Sequence, residues 1–175
     1  MVHFISRRTS WWQVGTISPA PDHLIWRGGQ TADSVTQSQF LADVRGQSSS
    51  GDVLIWVHGF NTHRTTALQT TKTIKAAVTG HGFKGAVIAY DWPTSSETGV
   101  RGIVNRLLGL KRMYIKDKET ANAMDDTLVK NLASLFKAPG IKVHIMAHSM
   151  GCYLTTLGIR HAESWLGQTV PFEQI

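Results

Sequence analysis

The chain has 175 residues, 42% of them hydrophobic and 17% charged, which fits one domain with a real core and excludes a disordered chain. Its single cysteine, Cys152, excludes an internal disulfide, and no stretch approaches the roughly 20 apolar residues that span a bilayer. The formal charge of +6 raises nucleic acid or an anionic surface as partners, but no nucleic-acid-binding motif accompanies it, so no nucleic acid is expected.

The opening MVHFISRRTSWW has neither an apolar core nor a small-residue cleavage site of a signal peptide, so a soluble, cytoplasmic protein is expected. His3 to Ile5 and Leu24 to Trp26 read as short strands separated by Pro19 and Pro21. Thr31 or Asp33 is positioned to cap a helix that runs to about Val44 and buries Phe40, Leu41 and Val44. Residues 46–51 read as a loop.

The pattern then changes. Val53-Leu54-Ile55-Trp56-Val57 is an unbroken apolar run of strand length, the signature of a strand buried on both faces. It ends at His58-Gly59. Residues 65–78 are helix-like, and Gly80 and Gly82 stop them. A second buried strand, Ala86 to Tyr90, ends at Asp91-Trp92-Pro93. A longer excursion follows from Thr94. A helix over about 118–136 turns Met124, Leu128, Leu132, Leu135 and Phe136 inward, and Pro139-Gly140 breaks it. Ile141 to Ala147 is a third strand, and a further helix starts just after Ser149. Buried strands alternating with helices predict a parallel sheet covered on both faces, with chemistry at the carboxyl ends of its strands.

The unusual residues all fall at such ends. Ala147-His148-Ser149-Met150-Gly151 fits a nucleophile elbow: small residues flank a serine on a tight strand-to-helix turn. Acyl transfer builds charge on a carbonyl oxygen, which backbone amides must meet. Met150 follows the serine, and Phe60 follows His58-Gly59 on the earlier loop, so these two amides are the expected oxyanion donors. His58, Gly59, Asn61, Asp91, Trp92 and His148 are expected to line the pocket. His58 braces the loop rather than transferring protons, and His148 is structural. Cys152 is expected to be a buried small hydrophobe.

His58 to Asn61, Trp92-Pro93 and Ala147 to Gly151 occur in this order, and together they resemble the α/β-hydrolase superfamily. Within it they resemble the bacterial family DUF900, over about residues 50–165. The early Phe4 to Arg8 is similar to the family's opening strand. The resemblance implies an α/β-hydrolase-type, mostly parallel sheet with helices on both faces. It implies a serine-hydrolase-like fold without metal or organic cofactor and no known substrate; with the elbow and the oxyanion loop, the expected activity is that of a serine hydrolase acting on esters or related acyl substrates.

The departure from the family pattern lies at the other end. The fold orders its triad serine, acid, histidine, and 26 residues follow Ser149. His161 lies on the same helix as Ser149, 12 residues on or about 18 Å along the axis, too far for a base. Glu163 and Glu173 have no histidine to orient. His63 is the substitute base to consider, and a triad acid at Asp91 would be atypical. The 175 residues therefore read as a single, partial domain lacking the C-terminal strands, weakly active or inactive. The next strand would begin near Phe172, and the open edge of the Ile141–Ala147 strand would favour self-association or a completing fragment. A non-catalytic, hydrolase-like binding scaffold is the alternative.

Residues 94–117 read as an insert. Ile103, Val104, Leu107 and Leu108 fall at helical spacing among Arg101, Arg106, Lys111 and Arg112. With Lys116 and Lys118 these basic residues read as a solvated helix face. A lid over the Ser149 pocket, a membrane-surface helix and an ordinary cap all fit the pattern.

Overall fold

The computed structural model describes residues 1–9, 16–95, 103–162 and 172–174, with side chains excepted at 103–108 and 172–174. Seven strands and five helices follow in the order β1 (Val2–Arg8), β2 (Ile17–Trp26), β3 (Asp33–Val35), α1 (Gln37–Gln47), β4 (Asp52–Val57), α2 (Arg64–Gly80), β5 (Ala86–Asp91), α3 (Ile103–Asn122), α4 (Thr127–Phe136), β6 (Lys142–Ala147), α5 (Met150–Arg160) and β7 (Phe172–Gln174). They build one sheet of order β3-β2-β1-β5-β4-β6-β7. β1, β5, β4, β6 and β7 run parallel, and β2 and β3 extend the sheet antiparallel beyond β1.

The period of two along each strand sorts its side chains between two faces. Val53, Ile55 and Val57 of β4, Ile88 and Tyr90 of β5, and Val143 and Ile145 of β6 meet Phe40 and Val44 of α1, Leu128 and Leu132 of α4 and Leu154 of α5 in one large core. The opposite face carries a small cluster around Phe4, Leu24, Ala89 and Leu68, the last from α2. Below they are called the α4 face and the α2 face. Each parallel connection crosses over through at least one helix, and the connections after the neighbouring strands β4 and β6 leave in opposite directions, toward β5 and toward β7. Ligand crevices form at the carboxyl ends beside such a reversal.

Three expectations from sequence are revised. The first helix starts at Gln37, because residues 33–35 pair with β2 as an edge strand and Thr36 closes a reciprocal capping box with Gln39. The predicted helix over 118–136 is two helices. Asp125 accepts a hydrogen bond from the Asp126 amide at 2.7 Å, and Thr127 donates to Met124 O at 2.6 Å, local bonds that compete with the helical ladder and break it at 123–126. The outer edge of β6 is covered in part, since β7 pairs with it in parallel at Val143 and His144. Of the insert, residues 96–102 and the side chains of Ile103, Val104, Leu107 and Leu108 lie outside the described residues.

Candidate active site

Ser149 lies two residues past Ala147, the last of β6, and is the residue before α5, with φ 54° and ψ −121°. An ordinary N-cap serine has extended torsions and accepts a backbone N–H. Ser149 does neither: it makes no side-chain cap bond, and it holds a left-handed backbone that costs a non-glycine residue about 1–3 kcal/mol. The turn is forced by packing. His148 N donates to Val57 O at 3.1 Å, so the elbow continues the β4 ladder. A Cβ at Gly151 would sit 2.5 Å from Val57 O and 2.6 Å from His58 O, so only glycine lets α5 approach β4 this closely. Ser149 and His148 are exposed, and Met150 is buried.

The loop after β4 runs against this serine. A Cβ on Gly59 would lie 3.1 Å from Ser149 Cβ and 3.0 Å from the His148 ring. Gly59 O receives the His58 Nδ1 proton at 3.0 Å and the Thr62 hydroxyl at 3.0 Å. Gly59 C=O and Phe60 N–H belong to one trans peptide and point in opposite directions, so these two bonds also aim the Phe60 amide. Phe60 is half-buried, and its ring meets Tyr114 of α3 edge-on at 5.8 Å. Asn61 holds φ 53°.

Behind the loop lies a cluster that sequence reasoning missed. Asp91, at the end of β5, is fully buried. It receives Arg8 Nε at 2.7 Å, Arg64 Nε at 2.6 Å and the Ser6 hydroxyl at 3.0 Å. His58 Nε2 stands 3.5 Å from its Oδ1, too long for a good hydrogen bond. Burial alone would raise the Asp91 pKa. The Arg8 charge, the His58 contact and the Arg64 charge outweigh it and hold the carboxyl well below the usual range. Arg8 Nη2 also donates to Thr62 O at 2.6 Å, which ties the ion cluster to the loop. One signal was legible: an aspartate ending an apolar strand must be paired if it is buried. Its partners were not, because they come from β1 and α2.

The structure thus gathers Ser149, His148, Gly59 and Phe60 at adjoining strand ends and turns others inward. Asp91 and Trp92, expected to line the pocket, are both fully buried. Trp92 stacks on His58 and donates its indole N–H to His58 O at 2.8 Å. His63 caps α2, its Nδ1 facing the Thr65 amide at 3.4 Å and the Thr65 hydroxyl at 2.9 Å. His161 stands 3.4 Å from Asp125 at the far end of α5. Cys152 is exposed, a correction to its expected burial, because α5 turns Met150, Gly151, Leu154 and Thr155 inward instead. Lys111, Arg112, Lys116 and Lys118 are exposed, as a solvated face requires. Among the described residues no cluster of three or more His, Cys, Asp or Glu could hold a metal, and no helix is long and apolar enough to cross a membrane.

A mostly parallel sheet, helices on both faces and a strand–turn–helix around Ser149 define an α/β-hydrolase-like scaffold. The chain belongs to the family described as "Alpha/beta hydrolase of unknown function (DUF900)", whose match spans residues 32–164. No curated protein and no solved structure matches the chain significantly.

Proposed function

We propose that this chain is a serine hydrolase of esters or related small acyl compounds. Ser149 Oγ attacks the acyl carbon, and the Phe60 and Met150 amides meet the oxygen as its charge develops. The observation that carries this reading is the Ser149 backbone, whose strain no cap bond repays and which lies where the Gly59-Phe60 loop arrives. Met150 opens α5, and the first amides of a helix have no intrahelical acceptor, so its N–H suits a developing anion. The reading needs no metal or organic cofactor.

A second reading is favoured by one observation. Among the described residues no side chain hydrogen-bonds the Ser149 hydroxyl. A scaffold that binds an acyl ligand without turnover fits that arrangement. A serine without its base retains only about 10³ to 10⁴ over water from the oxyanion site and binding.

A fluorophosphonate probe separates the two. Attack by Ser149 forms a P–O bond and expels fluoride, whatever acyl group the protein prefers. Mass spectrometry is expected to place the adduct on Ser149 and to find none on a Ser149→Ala variant. A folded chain that stays unlabelled establishes the scaffold reading, and equal labelling of both proteins removes Ser149 from the chemistry.

A further inference from the structure

The loop that carries Phe60 is held at two points beside the ion cluster: at the Gly59 carbonyl, by His58 and Thr62, and at the Thr62 carbonyl, by Arg8 and the Thr94 hydroxyl. Between them lies Asn61, a non-glycine residue at φ 53° with an exposed side chain. Such a residue stays in the left-handed region only where its surroundings fix it. Its fixing group comes from α3. Asp117 is fully buried, and its Oδ2 accepts the Asn61 N–H at 3.3 Å. Its other oxygen, Oδ1, accepts the Ser95 N–H at 2.6 Å, just after β5. One carboxylate therefore joins three pieces of chain: the loop after β4, the loop after β5 and the helix of the insert. A carboxylate suits the task because it has two acceptor oxygens and no donor, and both partners are backbone amides, that of Ser95 buried.

We propose that Asp117 is a positioning residue for the Ser149 site. It fixes the peptide that follows Phe60, and so the direction of the Phe60 amide, from the insert helix. It follows that α3 and the oxyanion loop move as one unit. Tyr114, one turn earlier on α3, packs on the Phe60 ring and reinforces the same link. Displacing α3 would withdraw Asp117 and Tyr114 together, relax Asn61 and turn the Phe60 amide away from the serine. The seating of the insert helix then decides whether the site is assembled. The helical spacing agrees. Asp117 shares one stripe of α3 with Met113 and Ala121, both buried, while its neighbours Lys116 and Lys118 are exposed.

This proposal rests on the Ser149 reading, and its test keeps the two apart. The full chain is made as Asp117→Asn, which keeps the shape and one acceptor oxygen. Thr120→Ala serves as a control for loss of α3 packing, since Thr120 is buried on the same helix and its hydroxyl donates to Lys116 O of that helix. Residue-resolved amide exchange is expected to rise at least tenfold at Asn61 or Ser95 in Asp117→Asn and not in Thr120→Ala. The maximal rate of fluorophosphonate labelling at Ser149 is expected to fall about tenfold or more in Asp117→Asn, with the probe's half-saturating concentration unchanged. Exchange that rises equally in the two variants, or a labelling rate that stays at the wild-type value despite faster exchange, overturns the proposal. Wild-type protein that is never labelled overturns the Ser149 reading instead, while the exchange result still decides whether Asp117 holds the two loops.

Discussion

The two faces of the sheet are built on different terms. The α4 face is covered by α1, α4 and α5 and is mostly apolar: Ile5, Ile55, Ile88, Leu128, Leu132 and Leu154 are wholly buried there, with His3, Arg7, His23 and Asn131 as buried polar groups among them. The α2 face has one helix over β1 and β5. At its carboxyl end it holds Ser6, Arg8, Asp91 and Arg64 in a dry ion cluster, and in its middle the small cluster of Phe4, Ala89 and Leu68. Toward β6 it opens into a groove of about 470 Å³ lined by Leu54, Val78, Phe83, His144 and Met146. Apolar packing stabilises without direction, whereas ion pairs with fixed geometry orient what they touch. The ion cluster lies directly behind the loop that must be aimed, so the polar group that orients the site lies on the face opposite the main apolar core.

The largest effect should come from Asp91. Asp91→Ala leaves Arg8 and Arg64 as buried charges without their shared partner, a loss of about 3–5 kcal/mol. Urea unfolding should show that loss. Replacing Arg8, Arg64 and Asp91 together with apolar residues should recover most of the stability without recovering Ser149 reactivity, because Thr62 O then loses its Arg8 donor. A single Asp91→Ala variant within about 1 kcal/mol of wild type would show that the cluster is not what holds this face.

A smaller contrast compares apolar sites on the two faces. Leu132 has no exposed surface, and Leu132→Ala should cost about 2–5 kcal/mol. Met146 lies on the α2 face of β6 with 39% of its surface exposed, and Met146→Ala should cost under about 1 kcal/mol. Equal losses in the two variants would mean that the groove side of β6 is covered in solution.

The sequence displayed this division unevenly. The parallel sheet was legible because the runs 53–57 and 86–90 are apolar at every position, and the Ser149 turn because small residues flank it at fixed spacing. The ion cluster was not, because it is assembled across β1, β5 and α2, whose positions lie up to 85 residues apart. Arg8 ends a polar-looking stretch, and nothing local says that it is buried. Asp117 stood between signals. It lies among basic residues, which suggests a solvated face, yet the spacing Met113, Asp117, Ala121, Met124 already places it on the inner stripe. The break at 123–126 went unseen because the apolar spacing continues across it, and only the side-chain bonds of Asp125 and Thr127 reveal the competition.

The last and smallest effect should separate the faces by pH. On the α4 face His3 and His23 pack edge-on against Phe40, at ring distances of 5.5 and 5.0 Å. Burial lowers both pKa values below 6.5, and for His3 the Asp43 carboxylate opposes that shift without reversing it. Each histidine is therefore neutral in the folded protein at pH values where the unfolded chain has begun to bind a proton. The unfolded state takes up more protons below about 6.5, so stability falls as pH drops through that value. On the α2 face Asp91 has a depressed pKa, and its contribution is complete above the unfolded carboxyl value of 3.8 and lost only as pH falls below it. Unfolding free energy plotted against pH should thus decline in two windows, one starting near 6.5 and one below 4. His23→Leu removes a titrating group whose Nε2 has no hydrogen-bond partner among the described residues. It should flatten the upper window and leave the lower one in place. An upper window as steep in His23→Leu as in wild type would mean that His23 does not titrate with folding, and that the α4 face holds its charge balance elsewhere.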